Sequence, residues 1–364
     1  MVNNTVRKMF FSMLAIAVLS GCATKAPERF FWPPPPNEPR FEWLSLIYSE
    51  SDLPKSRVGT IVDRATQAGI RYAFQRPIDV ASDGHGLIYV SDNTARKVHV
   101  LDMNKGSIEP LGVEGAIREP LGLAVDAERR VYVIDAARNV VLVYSAEQKP
   151  LFSFGGNEHF EKPAFVAVSD TADRVYVTDV KGGKVVVFGK SGDYLFSFGE
   201  PGSDDGQLFS PQGIAINQEG KVFVVDMFNF RIQVFDPDGS FLSKFGEQGI
   251  HPSQFELPKD IAIDSDGHIH VTDARKSAVL SFQEDGRFLM ATGMGRSAHA
   301  MAFTMPSGIC IDKNDQMFIT DNLLRRVSRW QYLSQAYLAK NPIDPDLLEH
   351  QRVRVEQIQK EKGL

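Results

Sequence analysis

Cysteine is nearly absent from this chain: Cys22 and Cys310 are the two it has. They do not read as a disulfide pair, so no disulfide framework can stand in for a hydrophobic core. A strong charge of either sign is missing too, since a net charge of −6 over 364 residues gives no compositional hint of nucleic-acid binding. Long apolar runs are also lacking. The run at Met9–Leu19 is shorter than the roughly 20 residues that a spanning helix needs, which weighs against a transmembrane anchor. What remains is 43% hydrophobic, enough for a substantial core.

The rest of the chain is organised around Gly206–Gly246. Gly213–Ile216, Val222–Val225, Ile232–Phe235 and Phe241–Phe245 are short β-branched and aromatic runs. Asn217–Gly220 and Asp236–Gly239 between them are hairpin turn chemistry. Four strands so closely connected form an antiparallel meander, and a lone sheet of that kind must stack on neighbours to bury its faces. Five further copies supply them. An aromatic residue (histidine in one copy), two more residues and an aspartate mark each second strand: Tyr89/Asp92, Tyr132/Asp135, Tyr176/Asp179, Phe223/Asp226, His270/Asp273 and Phe318/Asp321. The aspartates recur at intervals of 43, 44, 47, 47 and 48 residues, the period of propeller blades. A proline opens every copy: Pro77, Pro120, Pro163, Pro211, Pro258 and Pro306. Six such sheets stacked radially close a ring and protect their edges, so the expected fold is all-β, a six-bladed β-propeller of four-stranded antiparallel blades.

Pro211–Ile216, Phe223–Asp226 and Arg231–Phe235 match the Pro-x-Gly-Ile-Ala-Val-Asp, Tyr-Val-x-Asp and Arg-Ile-x-Val-Phe segments of the NHL repeat, and the chain resembles that family from about Phe74 to Gln331. The resemblance implies the same six-bladed propeller.

Ahead of the repeats lies an address. Arg7 and Lys8 precede the apolar run, and Leu19-Ser20-Gly21-Cys22 follows it. This resembles the bacterial lipobox, which implies that Cys22 is acylated and becomes the first residue of the mature protein. Each buried acyl CH₂ is worth about 0.8 kcal/mol, so several chains make release negligible. Ala23 stands where the family's inner-membrane retention signal has aspartate, which implies the periplasmic face of the outer membrane. Residues 22–40, with Pro33–Pro36, read as an extended polyproline spacer.

The sixth copy has no fourth strand of its own, and an open edge there would be a pairing hazard. Phe41–Tyr48 has the length and composition to supply that strand and close the ring. In residues 49–73, Val58, Ile61, Val62 and Ala65 fall at helical spacing; the segment is either a cap on the channel mouth or a packed surface helix. The propeller then occupies residues 74–332. Residues 333–364 read as a helical tail with Asp344-Pro345 at a helix start.

Loops joining second to third strands share a face with those joining one blade to the next. There the sequence gathers Arg96, Arg138, Arg231, Arg275 and Arg325, which would favour an anionic ligand. The second-strand aspartates could equally neutralise them within each blade. Phe228 and Phe230 place large aromatic groups where the loop should be solvated, which suggests an interface anchor. Blades one, three and five carry Asp79, Phe165 and Asp260 where the others have Gly122, Gly213 and Gly308. Near the axis, the two carboxylates either hold a cation or polar ligand or pack the inner strands. His268 and His270 share a strand face but have no third ligand at suitable spacing, and His270 falls in the core aromatic column. Cys310, at the alanine position of its strand, reads as a core residue.

No catalytic constellation, metal ligand set or cofactor is called. The expected function is a non-enzymatic binding scaffold, held to a membrane by its lipid, for a protein or anionic polymer of the cell envelope. Related six-bladed propellers include lactonases and lyases with a metal site on the channel axis, and that enzyme reading is the alternative. Nucleic-acid binding, known for some NHL propellers, does not fit an exported, lipidated chain.

Overall fold

In the fourth copy, Asn217 Oδ1 accepts from the Glu219 and Lys221 amides, and Asp236 Oδ1 from those of Asp238 and Ser240. These Asx turns close two hairpins, with Gly220 and Gly239 at positive φ. Pro211–Ile216, Val222–Asp226, Arg231–Phe235 and Phe241–Phe245 are thereby joined as an antiparallel sheet in chain order. The computed structural model describes residues 29–54, 72–293 and 301–362. Among these, five four-stranded sheets keep this order, a sixth combines strands from early and late in the chain, and the chain is an all-β, six-bladed propeller.

Each inner strand carries the same irregularity. Pro211 pairs with Asp226, but the next partner of the second strand is Ile214, so an extra residue bulges out. The shift repeats after Pro77, Pro120, Pro163, Pro258 and Pro306. Proline has no N–H for the ladder, so it suits the first position of a strand that begins in this way.

The core lies between blades. Six clusters of buried side chains each join two adjacent sheets and together run round the ring. Tyr89, Tyr132, Tyr176, Phe223, His270 and Phe318, the residues of the repeat signature, are all buried. A second column was not anticipated from the sequence. Phe74, Ile117, Phe160, Leu208, Phe255 and Phe303 stand three residues before each blade-opening proline, and all are buried. They anchor the segments that cross from one blade to the next. Gly246, at φ +93°, shows how tightly: a Cβ there would lie 2.4 Å from the Phe255 ring.

The sixth blade is completed from the other end of the chain. Pro306–Ile311, Gln316–Asp321 and Arg326–Tyr332 are followed in the sheet by Phe41–Ile47, antiparallel to Arg326–Tyr332. Phe41 is buried, its ring 5.5 Å from both His270 of blade five and Tyr332 of blade six. The expected spacer needs correction. Phe30–Trp32 is a fifth strand on this sheet, and the chain turns back so that the Arg40 amide donates to Trp32 O. Trp32 Nε1 donates to Ala291 O of blade five. From Phe30 onward the proline run therefore makes a reversal, because it lies between two strands of one sheet edge.

Several readings fall elsewhere. The leader, Cys22 and the helical spacing at Val58, Ile61, Val62 and Ala65 lie outside the described residues. Beyond the propeller, Ser334 caps a short helix, Gln335–Lys340, and Pro345–Lys362 forms a second helix with Asp344 ahead of it. No helix of the described residues is long and apolar enough to cross a membrane.

Replacing Phe41 with alanine should cost about 3–5 kcal/mol in urea unfolding, as for a buried aromatic. Leu151→Ala, on an exposed outer strand, should cost within about 0.5 kcal/mol of nothing. Equal effects would mean that the N-terminal strand is not integral to the ring.

Candidate functional site

One face is built around the second-strand aspartates. Asp92, Asp135, Asp179, Asp226, Asp273 and Asp321 are all fully buried. Asp92 accepts from the main-chain amides of Gln75 and Arg76, at 2.6 and 3.1 Å, and of Ala95, at 2.9 Å. Asp321 accepts in the same way from Thr304, Met305 and Leu324. Asp135, Asp179 and Asp273 also take the two amides that precede their blade's proline. These carboxylates thus hold the crossing segments and the second-to-third-strand loops together.

The cations of this face divide into two kinds. Arg138 is paired with Asp135, its Nε 2.8 Å from Oδ2. Arg231 is buried, with Nε on Asp226 Oδ2 and Nη2 on the carbonyls of Asp204 and Gln207. As a partner-binding residue it is therefore corrected: a guanidinium so enclosed braces its own loop. Arg275 lies 3.5 Å from Glu256. Arg96 and Arg325 are exposed and form no ion pair among the described residues, with Arg325 stacked 5.9 Å over Tyr72.

The difference follows the backbone. The fourth residue after each aspartate has positive φ: Arg96, Asn139, Gly183, Phe230, Ser277 and Arg325. Arg96 and Arg325 hold that left-handed position, whereas Arg138 precedes it and Arg231 follows it. Phe230 also occupies it and is half-buried against the core between blades four and five, so it packs more than it displays. Phe228 is 47% exposed, and its ring lies 5.4 Å from Phe209, itself 55% exposed. Phe209 was missed from the sequence because it precedes the blade, in a segment read only as a connection.

Down the axis, Asp79, Gly122, Phe165, Gly213, Asp260 and Gly308 form one layer. A Cβ on Gly122, Gly213 or Gly308 would meet the Cα or side chain of the large residue next round the ring at 2.3–2.5 Å. Leu123 N donates to Asp79 Oδ2 at 2.7 Å, Val80 N to Asp79 Oδ1 at 2.7 Å, and Ile309 N to Asp260 Oδ2 at 2.8 Å. Both carboxyl groups are buried, and the charge of Asp260 opposes ionisation of Asp79. Burial first, and then the charge of Asp260, hold Asp79 well above the usual carboxylate range; burial lifts Asp260 to about 7. Alongside this layer runs a cavity of about 220 Å³, lined by the inner strands and including Cys310, whose thiol burial pushes up.

The metal site implied for enzymes of this architecture does not fit these residues. The axial carboxylates are turned onto main-chain amides, and among the described residues no three histidine, cysteine or acidic side chains come together to hold an ion. His268 Nδ1 and His270 Nε2 both lie against Asp264 Oδ2, at 3.1 and 3.0 Å. Burial opposes the charge of Asp264, but the two histidines hold it below the usual range, and Asp264 in turn raises His268. His270 fills the place from which Tyr132 donates to Asp126 in blade two.

A family model described as a 6-bladed beta-propeller, DUF5128, matches residues 204–333. No curated protein sequence matches the chain. Among solved structures, it is similar to a gluconolactonase from Xanthomonas campestris, with 18% identity, TM-score 0.56 and coverage of 71% of this chain and 86% of that one. An auxiliary nutrient binding protein from Bacteroides thetaiotaomicron aligns at 13% identity and TM-score 0.56, over 72% of this chain and 70% of its own. Virginiamycin B lyase from Staphylococcus aureus aligns at 13% identity and TM-score 0.54, over 72% and 82%. These likenesses, all under 25% identical, are likenesses of fold alone.

The axial pair has a pH signature. Unfolded carboxyls release their protons near pH 4, whereas the folded pair holds one to about pH 7 or beyond. The fold therefore loses stability as pH rises through that window. Asp79→Asn keeps an acceptor for Leu123 N and gives up the one that Val80 N uses, a loss that does not depend on pH. Relative to the unaltered chain, its urea stability should therefore be higher at about pH 8 than at about pH 4, by on the order of 1 kcal/mol or more. A difference from the unaltered chain that is the same at both pH values would contradict the raised carboxyl pair.

Proposed function

We propose that this chain is a membrane-anchored NHL-repeat propeller lipoprotein that serves as a binding scaffold for a protein or anionic polymer of the cell envelope, at the periplasmic face of the outer membrane. The observation that carries the reading is the exposed Phe209–Phe228 pair, on the same loop face as Arg96 and Arg325, which have no ion pair among the described residues. Exposed aromatics supply contact area at low entropic cost, and free guanidinium groups draw anions. The leader ending in Leu19-Ser20-Gly21-Cys22 supports the lipid anchor.

The enzyme alternative, a lactonase or lyase, is supported by likeness of fold alone. The axial carboxylates speak for packing, since their oxygens already accept from Val80, Leu123 and Ile309.

Two measurements test the proposal. Cys22→Ser should move the full chain from the detergent phase to the aqueous phase and abolish acyl labelling; unchanged partitioning would remove the anchor. Phe209→Ala with Phe228→Ala should weaken capture of the envelope partner or polymer by about tenfold or more, as for interface anchors. Unchanged capture would remove the aromatic pair from the binding surface.

A further inference from the structure

The uneven neutralisation of the rim has a location. Between blades one and six lies a hollow of about 710 Å³, with Arg76 and Arg325 among its walls together with the polar side chains of Gln75, Thr94 and Asn322. Met305 and Leu323 complete it, and Leu323 is 59% exposed. Among the described residues, two guanidinium groups and no acid line this space. The second-strand carboxylates of these two blades, Asp92 and Asp321, each accept from three main-chain amides, and neither pairs with Arg76 or Arg325 among the described residues.

A second feature points the same way. Arg96 and Arg325 occupy the left-handed position that glycine fills in blade three and asparagine in blade two. Non-glycine residues are strained there, and an arginine has no advantage in that conformation. Among the described residues neither arginine pairs with the aspartate of its own blade, Asp92 or Asp321, whereas Arg138 and Arg231 pair with theirs, Asp135 and Asp226. Lys259, on blade five, reports the positive potential of Arg76. Its amine lies 3.5 Å from Met227 Sδ, with no acid bonded to it among the described residues. Burial, and then the charge of Arg76, push it below the usual lysine range.

We propose that the hollow between blades one and six binds an organic oxyanion, a carboxylate or phosphate carrying a short apolar part. Its charged end is held between Arg76 and Arg325, and its apolar part lies against Met305 and Leu323. The guanidinium fork suits either oxyanion, through paired hydrogen bonds. The volume is that of a small-molecule site. The inference rests on the basic-face reading above and names a ligand class for it.

Calorimetric titration of the full chain with hexanoate, hexyl phosphate and hexanol tests it. At least one of the two anions should bind saturably, the tighter one identifying the headgroup, and hexanol should not. Arg325→Gly, at a position where blade three already has Gly183, and Arg76→Gln should each weaken binding by about tenfold or more. Lys105→Gln, which removes an exposed charge on the opposite face, should leave it unchanged. The proposal is overturned if neither anion saturates, if hexanol binds as well as they do, or if Lys105→Gln costs as much as Arg325→Gly. Phe209→Ala with Phe228→Ala separates the two readings. Lost partner capture with intact hexanoate or hexyl phosphate binding keeps both. Intact capture with anion binding still dependent on Arg76 and Arg325 keeps only the hollow.

Discussion

The carboxylate at the end of each second strand takes main-chain amides from the segment arriving from the previous blade, and in most blades from its own loop as well. In five blades it accepts two amides immediately ahead of the proline; in the fourth it accepts one, from Phe209, and fills its remaining capacity with Asn229, Arg231 and Gln233 side chains. A buried, ionised oxygen pair is costly unless fully bonded, so these aspartates are satisfied by the loops they organise. With a buried apolar residue three positions before each proline, two consecutive devices fix every crossing segment. The ring is a chain of such junctions, and the sheets between them bury their faces on one another.

This economy decides what the face can offer. In blades one and six the aspartate accepts three main-chain amides, and the loop arginine stays exposed with no ion pair among the described residues. Where an arginine reaches the carboxylate, as Arg138 and Arg231 do, it becomes part of the scaffold. The two arginines without an ion pair among the described residues stand at the positive-φ position, and the two paired ones stand beside it. The axis follows similar logic: Asp79 and Asp260 satisfy inner-strand amides beside Gly122 and Gly308, and burial raises both carboxyl groups above their usual range.

Much of the architecture was legible because it repeats. The aromatic–aspartate spacing and the opening prolines counted the blades, and the missing fourth strand of the last copy pointed to Phe41–Tyr48. The buried residues before the prolines repeat just as regularly and could have been read in the same alignment; they were overlooked because they lie in connections. Phe30–Trp32 had no such signal, being three residues beside a proline run and outside the period. Of the candidate site, the residues were visible but their roles were not. Arg231 and Arg325 look alike in sequence, and only the conformation of the fourth loop residue, with the bonds already made by Asp226 and Asp321, separates a brace from a free cation. Phe230 and Phe228 divide on the same ground.

Hydrogen exchange in Asp321→Ala tests the junction account most directly. The amides of Thr304, Met305 and Leu324 should lose protection together, while those of Gln75, Arg76 and Ala95, held by Asp92, keep theirs. If the Thr304, Met305 and Leu324 amides exchange no faster than in the unaltered chain, the aspartate is not what holds the crossing segments, and the account of the face built on it fails.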